Sequence, residues 1–251
     1  MFDFHIEIHE KFSPATAIFY AKNMGLKGIA IVLPVDYLPQ LKTTCEFSDY
    51  EILEQDLTTL HNAIDKTNPQ IAKLLLLQKQ IDELAIYENI QCFFGIKLMH
   101  IPPSLIEKSV LLYRALGIHL IAVHGESISD MVEQGTNFNA CLAHIDILYH
   151  AGLIDEKCVE LAKENNVFLE ICSHPKHAYT NAHIAKIAEK YGAKIVFGSG
   201  ATKLEELHSP EMQKAIYAGA LIYTNNNNEL LLKLQTQFFQ KGVNYGNLSK
   251  M

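Results

Sequence analysis

Short runs of β-branched, aromatic and other apolar residues recur along the chain, and longer stretches whose apolar residues return every three or four positions separate them. The short runs predict seven strands, at Phe2–Ile8, Lys27–Val32, Ile90–Ile96, His119–Val123, Ile145–Tyr149, Val167–Ile171 and Lys194–Phe197. The longer stretches predict amphipathic helices. One opens at Ser13-Pro14, a capping serine followed by proline at the first helical position; others cover Pro69–Tyr87, Pro103–Leu116, Asp155–Asn165 and Asn181–Tyr191. Gly25, Gly117 and Gly192 stand just past a helix and before a strand, where a left-handed cap is needed. This alternation calls for parallel strands joined by crossover helices, and strands apolar on both faces suit a closed or nearly closed barrel. The least regular stretch, Pro34 to Pro69, is expected to be long loops with a helix around Tyr50–Ala63. The tail from Asn225 is polar at its start, helical in its middle and expected to fray at its end.

Composition narrows the class. Of the 251 residues 49% are hydrophobic and 20% charged, enough apolar material for one large core and too much for a disordered chain. Barrels of alternating strands and helices use this length as a single domain, and residues 1–251 are read as one, with a helical C-terminal tail from about residue 203. A formal charge of -7 argues against a bare phosphate backbone as partner, so nucleic acid is disfavoured. The opening MFDFHIEIHE is unlike a signal peptide, and no apolar run is long enough for a bilayer, so a cytoplasmic protein without membrane contact is expected. Five scattered cysteines without a CxxC spacing read as reduced thiols.

The placement of the twelve histidines suggests chemistry. His5, Glu7 and His9 alternate at period two and so share one face of the first strand. His124 ends the fourth strand, His150 the fifth, and His174 and His177 follow the sixth. Carboxyl ends of barrel strands converge on one mouth, and imidazoles and a carboxylate gathered there suit a transition-metal pocket. His61, His119, His144 and His208 fall on helices or strand starts and read as surface or capping residues.

In order, FDFHIEIH, GIKLMHIPP, IAVHGES, IDILYHAGLI, LEI, TNAHIAKIAEKYGAK and GSGAT resemble the polymerase-and-histidinol-phosphatase (PHP) domain, and more narrowly its histidinol-phosphate-phosphatase-domain branch. The resemblance runs from about Phe2 to Leu207 and is most specific over Gly95 to Lys194. It implies an α/β fold of PHP type, a distorted seven-stranded (βα) TIM-like barrel, and, in the family's hydrolases, a cluster of divalent metals that cleaves phosphate esters. The match to the family's ligands is uneven. Asp3 and His5 fit, but Glu7 stands in place of a histidine and Val32, Leu33 and Pro34 replace a Thr-Asp-His. Lys97 replaces a metal-bridging glutamate, and Ser199, Gly200, Ala201 and Thr202 replace a motif with an aspartate and a histidine. His124 and His150 match ligand positions, and His100, Glu126, His177, Asn181 and His183 match the branch in residue type. Asn181 serves equally well as a helix cap, and His183 as a packing residue.

The lysine decides what the resemblance is worth. At about 4 Å and an effective dielectric near 20, each unit charge contributes on the order of 4 kcal/mol, so Lys97 repels the cations that a carboxylate would hold. The expectation is at most one ion, zinc or manganese, on His5, Glu7, His124 and His150. Lys97, His9, His100 and His177 become candidates for ligand binding, and Glu126 and His177 for proton transfer. Three functions are open. The first is a non-catalytic or strongly altered binder of a small phosphorylated or anionic molecule, with a protein partner or self-association also open. The second is a phosphoesterase working on a mononuclear site. A third, borrowed from the related barrel subunit of ribonuclease P, is RNA binding, against which the acidic charge counts.

Overall fold

The computed structural model describes residues 1–239, with side chains to residue 236. Seven strands, β1 (Phe2–Glu7), β2 (Gly28–Val35), β3 (Gln91–Leu98), β4 (Leu120–His124), β5 (Ile147–Tyr149), β6 (Phe168–Cys172) and β7 (Lys194–Gly198), are all parallel and follow sequence order around one sheet. Closure falls to the turn after β7: Glu7 N–H donates to the Ala201 carbonyl at 2.8 Å and Gly200 N–H to the His5 carbonyl at 2.9 Å. The molecule is a distorted seven-stranded (βα) TIM-like barrel.

Helices α1 (Pro14–Asn23), α2 (Asp49–Glu54), α3 (Leu57–Ala63) and α4 (Pro69–Glu88) precede β3, and α5 (Ile106–Ala115), α6 (Thr136–Leu142), α7 (Glu156–Glu164) and α8 (Asn181–Tyr191) link the later strands. The single helix expected over Tyr50–Ala63 is two, because Ser48 forms a capping box with Glu51 and Asp56 then caps a fresh start. Helix α6 has too few apolar repeats to be read from sequence, and its start is held instead by Glu126, whose Oε1 accepts from the Gly135 and Asn137 amides at 3.1 and 2.9 Å.

Helices α9 (Pro210–Gly219) and α10 (Asn227–Phe239) follow the last strand, and α10 has a packing role that the sequence did not suggest. Leu230, Leu231 and Leu234 are buried with Phe2, Phe93 and Phe168 of the barrel interior, so α10 closes the amino-terminal end of the barrel. Lys233 pins it there, with Nζ 3.1 Å from Asp146 Oδ1 and donating to the Asn166 carbonyl at 2.9 Å. The expected fraying falls outside the described residues.

One irregularity in β1 sets up the opposite end. Asp3 pairs with Ile29 but Ile6 with Ile31, so Phe4 and His5 together oppose Ala30. The extra residue flips the pleat. Phe2 and Phe4 pack in the interior, and beyond the bulge His5 also faces inward, stacking on interior Tyr149.

Candidate functional site

His5 is fully buried, its ring stacked on Tyr149 at 3.7 Å between centroids and 7° between planes. Its Nδ1 lies 2.6 Å from Glu170 Oε1 and its Nε2 2.9 Å from Glu7 Oε1, so both nitrogens meet carboxylates. Burial opposes a charged imidazole, but Glu170 and Glu7 outweigh it and raise the His5 pKa. Burial likewise opposes both carboxylates, yet their imidazole and ammonium partners hold them well below the ordinary range: His5 and Lys97 for Glu7, His150 and His5 for Glu170. Lys97, only 3% exposed, donates its ammonium to Glu7. Two cations and two carboxylates thus balance inside the mouth.

Glu170 is the residue that sequence reading missed, although a glutamate in the middle of the apolar strand FLEIC was a visible signal. It is 1% exposed; besides holding His5, its Oε2 accepts the His150 amide at 3.0 Å. Gly198 on the neighbouring strand makes room for this, since a Cβ there would stand 2.1 Å from Glu170 Oε1 and 2.7 Å from His5 Cβ. Gly198→Ala is therefore expected to cost about 1–3 kcal/mol by overpacking. Urea unfolding measures it, and an unchanged midpoint would show that the pair can move aside.

Three further histidines form the outer half of the mouth. His150 has φ +50, a left-handed turn straight after β5. Its ring stacks on His177 at 3.6 Å and lies 4.9 Å from that of His124. Burial, followed by the repulsion of neighbouring cations, lowers the pKa of His124 to about 2; burial and His150 lower that of His177 to about 4. Burial lowers His150 as well, against the pull of Glu170. This trio is therefore neutral near pH 7. Asp130, from the loop after β4, places Oδ2 3.2 Å from His124 Nε2 and 3.5 Å from His177 Nε2, and Ser127 Oγ meets His177 Nδ1 at 2.9 Å. Neither loop residue carried a sequence signal.

His5, Glu7, Lys97, His124, His150 and His177 thus lie around one mouth, but other candidates have different partners. Glu126, a candidate for proton transfer, has its carboxylate turned to the start of α6. His9 lies beyond β1 and is exposed; its Nε2 meets the Thr202 carbonyl at 2.8 Å and its Nδ1 accepts from Lys11 N–H at 3.3 Å, which makes the ring a loop clasp. His100 is exposed and lines a cavity next to His124. Asn181 bonds both backbone groups of Cys172 rather than capping α8. His183 meets the Ile154 carbonyl at 2.8 Å. His119, expected at the surface, is buried beside Gln78.

Donor atoms close enough for one ion occur in two groups among the described residues: His5, Glu7 and His150, and His150, Glu170 and Cys172. His124 belongs to neither. The first group offers two imidazoles and a carboxylate, but an ion there must displace Lys97 from Glu7 and the proton of His5. A metal cluster of the multi-ion kind does not fit, because a buried ammonium stands among its ligands.

Fold and site together define a seven-stranded TIM-like barrel with a histidine–carboxylate mouth. The chain belongs to the same family as the uncharacterized protein MJ1295 of Methanocaldococcus jannaschii, to which it is 32% identical over 247 residues, 96% of this chain and 99% of that one. No family model matches. Among solved structures, a chain of an archaeal ribonuclease P determined with mature tRNA superposes with a TM-score of 0.61 at 17% identity, covering 97% of this chain and 94% of that one, a likeness of fold alone. A. niger ochratoxinase gives a TM-score of 0.49 at 11% identity over 88% of this chain and 66% of that one. Among the described residues no helix is long and apolar enough to cross a membrane.

Proposed function

We propose that this chain is a PHP-type barrel whose mouth binds a small phosphorylated or anionic molecule and whose phosphoesterase chemistry is lost or strongly altered. The ion pair between Lys97 and Glu7 carries this reading. In the barrel mouth a fixed ammonium now neutralises a carboxylate, the task a divalent ion performs in a metallohydrolase. A phosphate arriving at the mouth meets the Lys97 ammonium in competition with Glu7, and neutral imidazoles that offer N–H donors. The likeness to a ribonuclease P chain does not extend the reading to RNA, since the net charge is -7. The second reading, a phosphoesterase on a single ion, is supported by the convergence of His5, Glu7 and His150.

Calorimetric titration of inorganic phosphate and phenyl phosphate tests the first reading. Wild type is expected to bind both, and Lys97→Ala to bind at least tenfold more weakly, about 1.4 kcal/mol. Added zinc or manganese is expected to give wild type no turnover of phenyl phosphate. Zinc is expected to bind Lys97→Glu more tightly than wild type, because the substitution restores negative charge between donor sets. Metal-dependent turnover by wild type that His150→Ala abolishes would overturn the first reading in favour of the second.

A further inference from the structure

His150, Glu170 and Cys172, the second group of converging donors, each offer one donor atom, and these atoms all lie within 4.8 Å of one another. The strand pattern brings them together. Glu170 and Cys172 are two apart on β6 and share one face of it, and His150 follows the end of β5, which pairs with β6. Their exposures are 5, 1 and 2%, so water does not satisfy them. Each keeps bonding capacity in reserve. His150 Nδ1 lies 3.0 Å from Glu170 Oε2 out of hydrogen-bond alignment and has no hydrogen-bond partner among the described residues. Glu170 Oε2 accepts the His150 amide at 3.0 Å, which leaves a lone pair for a second partner. Cys172 Sγ accepts from the His174 amide at 3.3 Å and sends its proton to the Ser199 carbonyl over a long 3.8 Å. We infer that the imidazole of His150, the carboxylate of Glu170 and the thiolate of Cys172 bind one zinc ion.

Charge and donor type select that ion. An ion on His5, Glu7 and His150 must displace Lys97 and the proton of His5. An ion on the second group leaves both pairs standing, since Glu170 still holds His5 through Oε1 and Lys97 still meets Glu7. One carboxylate and one thiolate cancel a divalent charge, and binding exchanges the S–H bond of Cys172 for an S–Zn bond, the proton leaving to solvent. A nitrogen, an oxygen and a sulfur suit zinc, whereas magnesium, calcium and manganese prefer oxygen alone. The His5 ring bonded to the far oxygen of Glu170 fixes that ligand in place, as outer partners of metal ligands do. This ion does not depend on the anion reading of the mouth.

Cobalt(II) is the probe, titrated into metal-free protein kept reduced with a phosphine. A thiolate-to-cobalt charge-transfer band in the near ultraviolet reports sulfur bound to the ion. Wild type is expected to develop the band with about one equivalent of cobalt and to lose it when zinc is added. Cys172→Ala is expected to abolish the band and to weaken zinc at least tenfold in competition with a chromophoric chelator. Should that variant melt early, Cys172→Ser takes its place with the same expectation. Glu7→Gln, outside the second group, is expected to keep the band. No band in wild type at about 1 mM cobalt, or a band that survives removal of the Cys172 thiol, overturns the site. Cobalt that binds without the band and is lost in Glu7→Gln occupies the first group, and also overturns it. Inorganic phosphate titrated into the metal-free protein separates the two ideas. Phosphate binding without the band ends the zinc site alone, and the band without phosphate binding ends the anion reading alone.

Discussion

Glu170→Gln is expected to lower the melting temperature by roughly 6–20 °C, the largest effect of any single substitution in the mouth. The change keeps the shape and removes the charge. The carboxylate receives the His5 ring at 2.6 Å on one oxygen and the His150 amide at 3.0 Å on the other. A glutamine whose oxygen keeps the His150 amide turns its NH2 group to His5 Nδ1, which accepts only once His5 has given up a proton, and the opposite flip sets that NH2 against the His150 amide in a fully buried place. It also leaves His5 with only Glu7 to offset its charge. Removing one partner of a buried pair costs about 3–5 kcal/mol, and a domain of this size loses roughly 2–4 °C for each of these. Glu7→Gln is expected to cost less, because the Glu7 side chain is 17% exposed and water replaces part of what it loses. A thermal melt of both variants checks the ranking. A shift below about 2 °C for Glu170→Gln would show that Glu170 does not anchor the cluster.

The sequence disclosed the barrel because strand and helix periods alternate without interruption, and an apolar run such as GIAIVLPV has little alternative to a buried parallel strand. It disclosed the mouth in part for the same reason: His124 and His150 close strands, and strand ends converge. What it could not disclose depends on departures from period. The bulge in β1 brings His5 inward beside Phe4, where strict alternation puts it on the opposite face, and no residue of FDFHIE announces that slip. His9 continued the period on paper but lies past the strand, where its ring clasps Thr202. Asp130 reaches His124 and His177 from a loop, and loop conformation is set by tertiary contacts rather than local pattern. Glu126 had the right neighbours in sequence and the wrong direction in space, because the unpaired amides at the start of α6 claim its carboxylate. Glu170 was the legible omission. A charged residue in a strand with both flanks buried must have partners, and here the partners are the site.

The same network should make the protein acid-labile from about pH 6.5 downward. His124 and His177 titrate in the fold at about 2 and about 4, against an ordinary value near 6.5. Between pH 6.5 and 4 the unfolded chain therefore takes up protons that the folded chain refuses, and stability falls as pH falls. His150, lowered by burial, acts in the same direction. Glu7 and Glu170, held low by their cations, add a second loss below their ordinary value near 4.5. Asp3 opposes these. Burial raises its carboxyl to about 6, so the folded chain binds that proton first and gains from acid between about pH 6 and 4. Each pH unit over which one group differs is worth about 1.4 kcal/mol, and two neutral histidines against one protonated aspartate leave a net loss of roughly 3–5 kcal/mol from pH 6.5 to 4. Urea unfolding at half-unit steps reads this slope directly. His177→Phe is expected to remove most of it, since one neutral histidine is then left against one protonated aspartate, and Asp3→Asn to steepen it while raising stability at pH 7, where wild type must keep that buried carboxylate ionised. A level stability curve between pH 6.5 and 4.5 in wild type would show that the histidines are already charged in the fold. The outer half of the mouth would then be cationic at neutral pH.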